Sequence, residues 1–399
     1  MKSILDYDLK DKRVIIRCDF NVPMKDGKIT DDTRIIASLK TINYAINNGA
    51  KVILMSHLGK IKTPEDLKNN SLKPVYERLK ELLNTNVYFS PDTFSDELTN
   101  QVNNLKSGEV LLMENTRYED LEGKKESTCN EELSKYWASL GDIFINDAYG
   151  ALHRAHASNV GIAKLLPNGI GFLVIEELSK IDNFLEEPTH PFVVVMGGKK
   201  VKDKIKVIDN LITKCDRLLI GGAMSFTFLY TKGYHVNKKY LEEDYVTYCE
   251  NLLNKYNEKI VLPKDFVVST SLEDTTSQNK LLENIKENEY GYDIGSSSIE
   301  LFVNNLKDAK RVLINGPMGV FENPMYQKGT YEIYKVLKDN NIKTLVGGGD
   351  SASSVNNLGF ENVFYHVSTG GGATLEYLEG TPLPALEVIN KKKVLNKDN

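Results

Sequence analysis

Short apolar runs that stop abruptly limit the possible folds of this chain more than any other feature. Val110–Met113 and Val193–Met196 are typical, because each is solidly apolar and ends at once in a polar residue or a glycine. Such runs indicate strands of a parallel sheet that is buried on both faces. Helical patterns such as Asp32–Asn48, which stops at Gly49, lie between the runs. This alternation predicts a doubly wound α/β architecture.

The residues that follow the runs differ between the two halves of the chain. In the first half they are charged or amide side chains: Asp19, Asn21, His57, Arg117 and Arg154. In the second half they are glycines: Gly197-Gly198, Gly221-Gly222, Gly316, Gly347-Gly348-Gly349 and Gly370-Gly371-Gly372. Ligands of doubly wound sheets bind outside the carboxyl ends of the strands. One half therefore offers cations and amides, the other offers backbone N–H groups, and two different anionic ligands are expected.

Composition sets the class of protein. A chain of 399 residues is long enough for two domains, and its net charge of −5 argues against a nucleic-acid binder. The 4 cysteines are widely separated, without a Cys-x-x-Cys pair, which favours a reducing compartment and gives no metal or redox motif. No apolar stretch approaches the roughly 20 residues of a membrane span, and Met1-Lys2-Ser3 leads into no signal-peptide core. We expect a cytoplasmic protein without a membrane partner.

Arginine is used sparingly and unevenly. The chain has 42 lysines but only 8 arginines, and 6 of these precede residue 155. Arginine is the cation suited to planar, bidentate binding of phosphate or carboxylate. Chance clustering and surface use are the alternative, and they suit Arg13 and Arg78 best.

A helix is predicted to join two lobes. The change in strand-end chemistry places the domain boundary after Gly171, and Phe172–Glu187 has the pattern of one helix before Pro188 and Pro191 interrupt the chain. A helix between lobes is a natural place for hinge motion. The alternative is a crossover helix within one large sheet.

In the second half, the segment Gly347–Ser351 follows a strand and opens a helix expected at Ala352–Leu358. A helix N-terminus after glycines is a ready anion site. Asp350 could cap this helix, face a divalent cation on a nucleotide, or do both. Lys204, on a helix expected at Asp203–Lys214, is a mobile charge suited to phosphate. No P-loop motif is present.

In the first half, Arg17, Asp19 and Asn21 alternate and would share one face if the strand Arg13–Phe20 continues to its end. The sequence shows no Ser-His-Asp or Cys-His pairing and no clear acid–base pair of carboxylates. Positioning and charge neutralisation, as in phosphoryl transfer, need neither.

Several motifs together resemble the phosphoglycerate kinase family, in order along nearly the whole chain. In the first half they are Arg17–Pro23, Ser56–Gly59, Glu114–Arg117, Asn146–Gly150 and His153–His156. In the second half they are Lys200–Ile205, Asn315–Glu322, Gly347–Ser351 and Ser368–Gly372.

The resemblance implies two Rossmann-like lobes joined by a hinge helix. Residues 1–171, completed by 380–399, would bind phosphoglycerate, 172–187 would link the lobes, and 188–379 would bind Mg-nucleotide. The implied reaction is reversible phosphoryl transfer between 1,3-bisphosphoglycerate and ADP, giving 3-phosphoglycerate and ATP, in line and after lobe closure. Mg²⁺ is the implied cofactor, and a monomer is the expected state.

The resemblance also implies the site residues. The substrate set is Asp19, Phe20, Asn21, Arg34, His57, Leu58, Gly59, Lys60, Arg117 and Arg154. The nucleotide set is Lys200, Lys204, Gly295, Glu322, Gly348, Gly349, Asp350 and Ser351, with Glu322 on the ribose and Asp350 on the metal. The catalytic set is Arg34, Lys204, Gly371 and Gly372, which would neutralise the phosphoryl group in flight.

Four departures from the family pattern predict altered affinities. Lys60 stands where an arginine is usual, Lys199 replaces a small residue, Ser225 lies in an altered Gly221–Ser225 segment, and Ser296–Ser298 replaces a usual proline.

Two other functions compete with this prediction. A kinase for another small carboxylate would change the basic half. A non-catalytic relative would have lost Arg34, Lys204 or Asp350, and all three are present.

Overall fold

The computed structural model describes residues 1–390, which form two compact units. The first unit contains Met1–Lys180 together with the chain from Pro382, and the second contains Ile181–Thr381. The division falls inside the helix Phe172–Glu186, the segment that the sequence predicts to join two lobes. The part of the predicted C-terminal segment from 391 to 399 lies outside the described residues.

The first unit is built on one six-stranded sheet. Its strands are β1 (Arg13–Arg17), β4 (Lys51–Met55), β5 (Val87–Ser90), β6 (Val110–Met113), β7 (Ile143–Asn146) and β8 (Asn168–Ile170). A separate small hairpin consists of β2 (Met24–Lys25) and β3 (Lys28–Ile29). Its helices are α1 (Thr33–Asn47), α2 (Pro64–Asn69), α3 (Lys73–Leu82), α4 (Asp96–Asn103), α5 (Glu131–Ser139) and α6 (Ile162–Leu165), followed by α7 (Phe172–Glu186). The order is β5-β6-β4-β1-β7-β8, and every pair in the sheet is parallel.

Both faces of this sheet are buried, as the solid apolar runs predict. Along β1, Val14 and Ile16 belong to one core, with Ile42 of α1 and Leu79 of α3. The intervening Ile15 belongs to the core on the opposite face, with Trp137 of α5 and Leu98 of α4. Because successive strand side chains point to opposite faces, a strand covered by helices on both sides must be apolar throughout.

The second unit repeats the architecture with a second six-stranded sheet. Its strands are β9 (Phe192–Met196), β10 (Arg217–Ile220), β11 (Ile260–Val261), β12 (Asp265–Ser269), β13 (Gln278–Leu281), β14 (Tyr290–Ile294), β15 (Arg311–Asn315), β16 (Lys343–Val346) and β17 (His366–Val367). Its helices are α8 (Ile205–Leu211), α9 (Ser225–Thr231), α10 (Val246–Tyr256), α11 (Ser296–Leu306), α12 (Lys328–Asp339), α13 (Gly349–Asn357) and α14 (Gly372–Leu378). The order of the parallel sheet is β11-β10-β9-β15-β16-β17.

An antiparallel sheet of order β13-β12-β14 lies beside the parallel sheet of the second unit, and the strand-end pattern did not predict it. It shares a core with that sheet: Phe266 of β12 stacks on Phe226 of α9 at a centroid separation of 4.5 Å.

The last described helix, α15 (Pro384–Asn390), packs on the first unit. The amide of Ala385 donates to the carbonyl of Leu152 at 3.2 Å, and Leu383 and Ala385 are buried. Among residues 1–390, no helix combines the length and apolar character needed to cross a membrane. The prediction of two doubly wound parallel-sheet lobes is confirmed.

Three predicted elements were too long. The strand predicted at Arg13–Phe20 ends at Arg17, because the chain turns there and the Phe20 amide donates to Ser56 Oγ at 2.8 Å. The run Val363–Val367, which precedes Gly370-Gly371-Gly372, also predicts a strand, but the strand begins only at His366, since Phe364 packs on the rings of Tyr334 and Phe360. The helix predicted at Asp203–Lys214 spans only Ile205–Leu211.

Candidate active site

The loop after β1 places Asp19 beside Arg34. Asp19 Oδ2 accepts from Arg34 Nη1 at 2.8 Å; the Asp19 side chain is 9% exposed and that of Arg34 is 38% exposed. Asp19 Oδ1 accepts from the amide of Asn21 at 3.3 Å. Because the strand ends at Arg17, the predicted row of Arg17, Asp19 and Asn21 on one strand face does not form. The three residues instead make separate contacts around the turn.

Asn115, two residues after the end of β6, joins the loops that follow β4 and β6. Its Oδ1 accepts from the amides of Leu58 and Arg117, each at 3.1 Å. Its Nδ2 donates to the carbonyls of Leu58 at 2.7 Å and Asn70 at 2.8 Å. Asn115 is fully buried, so these bonds fix the loops after β4 and β6 relative to each other.

Gly59 connects this arrangement to two predicted site residues. Its amide donates to Asn21 Oδ1 at 2.8 Å, and its carbonyl accepts from Arg117 Nη1 at 2.5 Å. Arg117 Nε is buried and makes no hydrogen bond within the described chain. The structure therefore brings Asn21, Gly59 and Arg117 together. The side chains of Phe20 and Leu58 are buried, so only their backbones can reach a ligand.

Arg17, His57, Arg117, Arg154 and His156 form a basic cluster in the first unit. Arg17 Nη2 lies 3.0 Å from His57 Nδ1. The pKa of His57 is lowered well below its ordinary value by burial, and then by Arg17, Arg117, His156 and Arg154. The pKa of His156 falls to about 3, first by burial and then by the same three arginines. Both shifts favour neutral rings.

The arginines of this basic cluster crowd one another, although Glu126 offsets part of their charge. Burial, then Arg154 and Arg17, lower the pKa of Arg117, which shows how closely the like charges are gathered. Such a gathering raises the electrostatic free energy of the ligand-free protein and favours binding of a phosphate or carboxylate.

Two predicted substrate residues stand apart in their contacts. Arg154 acts on the cluster through its charge, but its side chain is exposed and makes no hydrogen bond or ion pair among the described residues. Lys60 is exposed as well, and it makes no hydrogen bond or ion pair in the described chain and contributes to none of the pKa shifts in the cluster.

In the second unit, Lys204 is held by the end of β15. Lys204 Nζ donates to Asn315 Oδ1, and Asn315 Nδ2 donates to the carbonyl of Gly347 at 3.0 Å. Ser351 Oγ accepts from the amide of Gly316 at 2.6 Å. Burial lowers the pKa of Lys204, while the charges of Asp350 and Asp203 raise it. The residues after β9, β15 and β16 thus form one hydrogen-bonded group.

Several glycines predicted to cradle phosphate are required by packing instead. A Cβ on Gly197 would lie 2.1 Å from the carbonyl oxygen of Pro317, and a Cβ on Gly316 would lie 2.2 Å from that of Gly197. A Cβ on Gly222 would lie 2.6 Å from the Gly198 amide nitrogen. These glycines let neighbouring strand-end loops touch through their backbones. Gly349 and Gly371 differ, because a Cβ there would meet nothing within 4 Å.

The starts of α13 and α14 offer unused amides. Gly348 is the N-cap of α13, with φ of 98° and no side-chain cap. Asp350 therefore lies in the first turn of the helix, and the prediction that Asp350 could be the N-cap is wrong. Asp350 is exposed. Before α14, Gly371 takes a φ of 52°, and the amides of Gly371 and Gly372 donate to no group among residues 1–390. Free amides at a helix start favour anions.

Three residues of the predicted nucleotide set are not joined to this group. Lys200 and Glu322 are exposed, without a hydrogen bond or ion pair in the described chain. Gly295 is the N-cap of α11, where a Cβ would lie 2.3 Å from the Asp265 carboxyl carbon. Asp265 accepts from the amides of Ser297 at 3.0 Å and Ser298 at 2.8 Å.

One departure from the family pattern has a structural explanation at this helix. The amide of Ser296 donates to Asn279 Oδ1 at 2.8 Å, and a proline at this position would have no such donor. Lys199 is exposed, and Ser225 Oγ donates to the carbonyl of Gly222 at 2.6 Å.

The predicted site set omitted the residues that hold the site. Asn115 lies two residues after β6, and Asn315 is the last residue of β15. Both stand at strand ends, which is the signal that selected Asp19 and Arg117, so the sequence could have placed them in the site. Glu126 and Ser158 lie behind Arg17 and are fully buried. Glu126 lies in the charged segment 122–128, which has the composition of a solvated loop, so nothing in the sequence indicates that Glu126 is buried.

Each of the two units is an α/β domain built on a parallel sheet, with basic side chains at the first sheet and free backbone amides at the second. These features define a protein of the two-lobed α/β kinase class. Residues 4–381 match the family model described as phosphoglycerate kinase. A protein of that name from Enterococcus faecalis is 53% identical over 394 residues, covering 98% of this chain and 99% of the relative. One from Fusobacterium nucleatum is 51% identical over 396 residues, covering 98% and 100%.

Solved structures agree. The phosphoglycerate kinase structure from Coxiella burnetii is similar with a TM-score of 0.84 and 35% identity, covering 97% of each chain. The structure from Pyrococcus horikoshii gives 0.83 and 32%, covering 98% of each. The chain belongs to the phosphoglycerate kinase family.

Proposed function

We propose that this chain catalyses reversible phosphoryl transfer between 1,3-bisphosphoglycerate and ADP, giving 3-phosphoglycerate and ATP. The observation that carries the proposal is the basic cluster of the first unit, whose arginines gather positive charge around two histidines of lowered pKa and so favour an anionic ligand. The family membership of the chain supports the same reaction.

The first unit is proposed to hold phosphoglycerate. Arg117 and Arg154 supply charge for its phosphate or carboxylate, and Asn21 and His57 supply polar contacts. Asp19 holds Arg34 at 2.8 Å, so the guanidinium is already positioned before a ligand binds. Lys60 remains in the proposed set as an exposed charge at the edge of the loop.

The second unit is proposed to hold the Mg-nucleotide. Lys204, Lys200 and the start of α13 would meet its phosphates, and Glu322 would meet the ribose. Among the described residues, no group of three or more His, Cys, Asp or Glu side chains could hold a metal ion. This fits Mg²⁺, which keeps several waters and is bound by one or two carboxylates together with nucleotide phosphates. Asp350 is the exposed carboxylate at the start of α13 and would supply that ligand.

The proposed transfer needs no proton exchange. A carboxylate oxygen of 3-phosphoglycerate forms a bond to the γ-phosphorus as the bond to the ADP oxygen breaks, in line and with the lobes closed. Catalysis then consists of positioning and charge neutralisation. Mg²⁺, when bound, neutralises phosphate charge. Arg34, Lys204 and the free amides of Gly371 and Gly372 would stabilise the charge on the transferring group.

The remaining parts of the proposal concern the setting. We propose that the chain acts as a monomer in the cytoplasm, with the two small-molecule substrates as its ligands and neither nucleic acid nor a membrane as a partner. Kinase activity toward another small carboxylate, the alternative considered above, is not favoured, because the family match and the relatives at 51% and 53% identity support phosphoglycerate kinase.

A coupled assay with ATP and 3-phosphoglycerate, run beside other small carboxylates, tests the proposal. We expect turnover that requires Mg²⁺ and strongly prefers 3-phosphoglycerate. Comparable turnover of another carboxylate would contradict the proposed substrate, and nucleotide binding without any turnover would contradict the proposed catalysis.

A further inference from the structure

Arg17 is a buried cation with every contact pointing inward. Its side chain is completely buried, at 0% exposure, although it lies at the end of β1 beside the proposed ligand site. Nη1 donates to the carbonyl of Cys18, and Nε donates to Ser158 Oγ at 2.9 Å. Nη2 reaches His57 Nδ1 at 3.0 Å. Because Arg17 itself is covered, it can reach a ligand only through His57.

A buried carboxylate balances this charge. Glu126 is also completely buried, and its carboxylate accepts from Ser158 twice, from Oγ at 2.5 Å and from the amide at 3.0 Å. Burial raises the pKa of Glu126, while Arg17 and then Ser158 lower it. Burial of an unpaired charge costs several kcal/mol, so Glu126 and Arg17 depend on each other across Ser158.

The direction of each hydrogen bond in this chain of groups is fixed. Ser158 uses its only hydroxyl proton on Glu126, so its oxygen is left to accept from Arg17. Arginine only donates, so His57 Nδ1 must accept. A neutral imidazole that accepts at Nδ1 carries its proton on Nε2.

His57 Nε2 is the free end of this chain of groups. The ring is half-buried, and Nε2 bonds to no protein group among residues 1–390. The network therefore leaves one N–H donor available at the site, on a ring that Arg17 prevents from turning.

We propose that Glu126 is a positioning residue that acts through Ser158 and Arg17 to fix His57 as a neutral Nε2–H donor for the phosphoglycerate ligand. This inference rests on the proposed function for the identity of the ligand, but not for the tautomer. A network that only stabilised the fold would leave the tautomer and the substrate KM indifferent to its individual members.

The tautomer can be tested without substrate. In protein labelled with ¹⁵N at its 6 histidines, two-dimensional ¹H–¹⁵N spectra show which ring nitrogen of His57 carries the proton, and a His57→Gln spectrum assigns its signals. We expect protonation at Nε2 only. A His57 signal from the Nδ1–H tautomer or from imidazolium at neutral pH would overturn the proposal whatever the enzyme activity.

The positioning role is tested with Glu126→Gln and Ser158→Ala. Each should raise the KM for 3-phosphoglycerate by about tenfold, the usual effect of one lost hydrogen bond to a charged group. The KM for ATP and kcat should change by less than about twofold, and the His57 signals should show mixed tautomers. Because the residues act in series, the double variant should be no worse than the more affected single variant.

Glu119→Gln is the matched control. Glu119 makes a comparable bond, accepting from Thr93 Oγ1 at 2.5 Å, but lies outside the network, so its KM values should equal those of the parent. Fluorescence of Trp137, the single tryptophan and a buried residue of the first unit, reports whether each variant folds. Should Glu126→Gln not fold, Ser158→Ala, which keeps both charges, decides by the same criteria.

If the parent is active and a folded Glu126→Gln or Ser158→Ala variant keeps both the His57 tautomer and the KM for 3-phosphoglycerate, the positioning role is wrong. An inactive parent would instead refute the proposed function, and the ¹⁵N spectra would still decide the tautomer.

Discussion

The two units use the same architecture for opposite kinds of site. At the first sheet, the proposed site consists mainly of side chains: Asp19 bonds to Arg34, the Gly59 carbonyl accepts from Arg117, and Arg17 contacts His57. At the second sheet, most of the proposed binding surface is backbone, at the starts of α13 and α14, and Lys204 is the one partly buried cation that the described part of the unit places there.

This difference shows what each half of the sequence must preserve. A basic cluster depends on side-chain identity and on buried partners that balance its charge, such as Glu126. A backbone site depends on loops that approach closely, which Gly197 and Gly316 permit and which a single Cβ would prevent. Charge substitutions should therefore affect the first unit most, while the second should respond to changes in backbone and in its few charged ligands.

The largest expected effect concerns a feature that the units share. Burial raises the pKa of Asp147 to about 7, against hydrogen bonds from Thr41 and the amides of Val174 and Leu173. In the second unit, burial raises the pKa of Asp293 to about 7 as well. The folded state then holds a proton that the unfolded state has released, so stability falls as pH rises from the ordinary pKa to about 7.

In the parent, the Leu173 amide donates to Asp147 Oδ1 at 2.9 Å. Asp147→Asn keeps an oxygen for this amide and removes the group that ionises. At pH 8 it should raise the free energy of unfolding of the first unit by up to about 4 kcal/mol relative to the parent, and near pH 4 by little. Urea unfolding followed by Trp137 fluorescence across this range measures the difference. Asp142→Asn is the control, and it should lower the free energy of unfolding at pH 8 instead of raising it. The hydrogen bond from Arg13 lowers the pKa of Asp142 against the effect of burial, so its ionised form stabilises the folded state. A parent stability that does not fall between pH 4 and 8 would contradict the prediction.

The next effect tests whether the side-chain site carries catalysis. Arg34→Ala should lower kcat by on the order of a hundredfold or more, with a smaller change in 3-phosphoglycerate affinity, because its charge is proposed to meet the transferring group only in the transition state. Steady-state kinetics and calorimetry measure the two quantities. Arg78→Ala removes an arginine of similar exposure that pairs with Asp32 at 2.8 Å, and should leave both unchanged. An Arg34→Ala enzyme with parental kcat would remove this residue from the catalytic set.

The parts of the fold that follow from apolar runs could be predicted. Strands β6 and β9 lie where the runs place them, because their burial on both faces excludes polar residues. Elements whose ends depend on tertiary contacts could not. The turn after Arg17 is set by a hydrogen bond to Ser56, a residue of another strand end, and no local pattern announces it.

The same limit applies to the site. Arg117 could be selected because it follows a strand end, whereas Arg34, in the first turn of α1, entered the set only through the family resemblance. The glycines of the second unit could not be sorted from sequence, because a glycine that avoids a neighbouring carbonyl and a glycine that exposes an amide look alike. Gly316 and Gly371 differ only in what surrounds them.

A smaller effect tests the separation of the two sites. Asp350→Asn should weaken Mg-nucleotide binding by about tenfold, since one charged ligand of the metal is lost, and should leave 3-phosphoglycerate affinity unchanged. Calorimetric titration of each ligand alone measures both. Asp339→Asn, which breaks the exposed pair with Lys335 at 2.8 Å, is the control and should alter neither. An equal loss of phosphoglycerate affinity would contradict the assignment of one ligand to each unit.

The smallest expected effect concerns Lys60, the clearest departure from the family pattern in the first unit. Arginine offers a flat fork of donors where lysine offers one point charge, so Lys60→Arg should lower the KM for 3-phosphoglycerate a few-fold, or about 1 kcal/mol. The gain is small because Lys60 is exposed and a cation already stands there. Lys62→Arg is the neighbouring control and should leave KM unchanged. The measurement is made at two ionic strengths, since an exposed charge pair weakens as salt screens it. A KM equal to that of the parent at both would place Lys60 outside the binding shell, and the basic cluster would then hold the substrate without it.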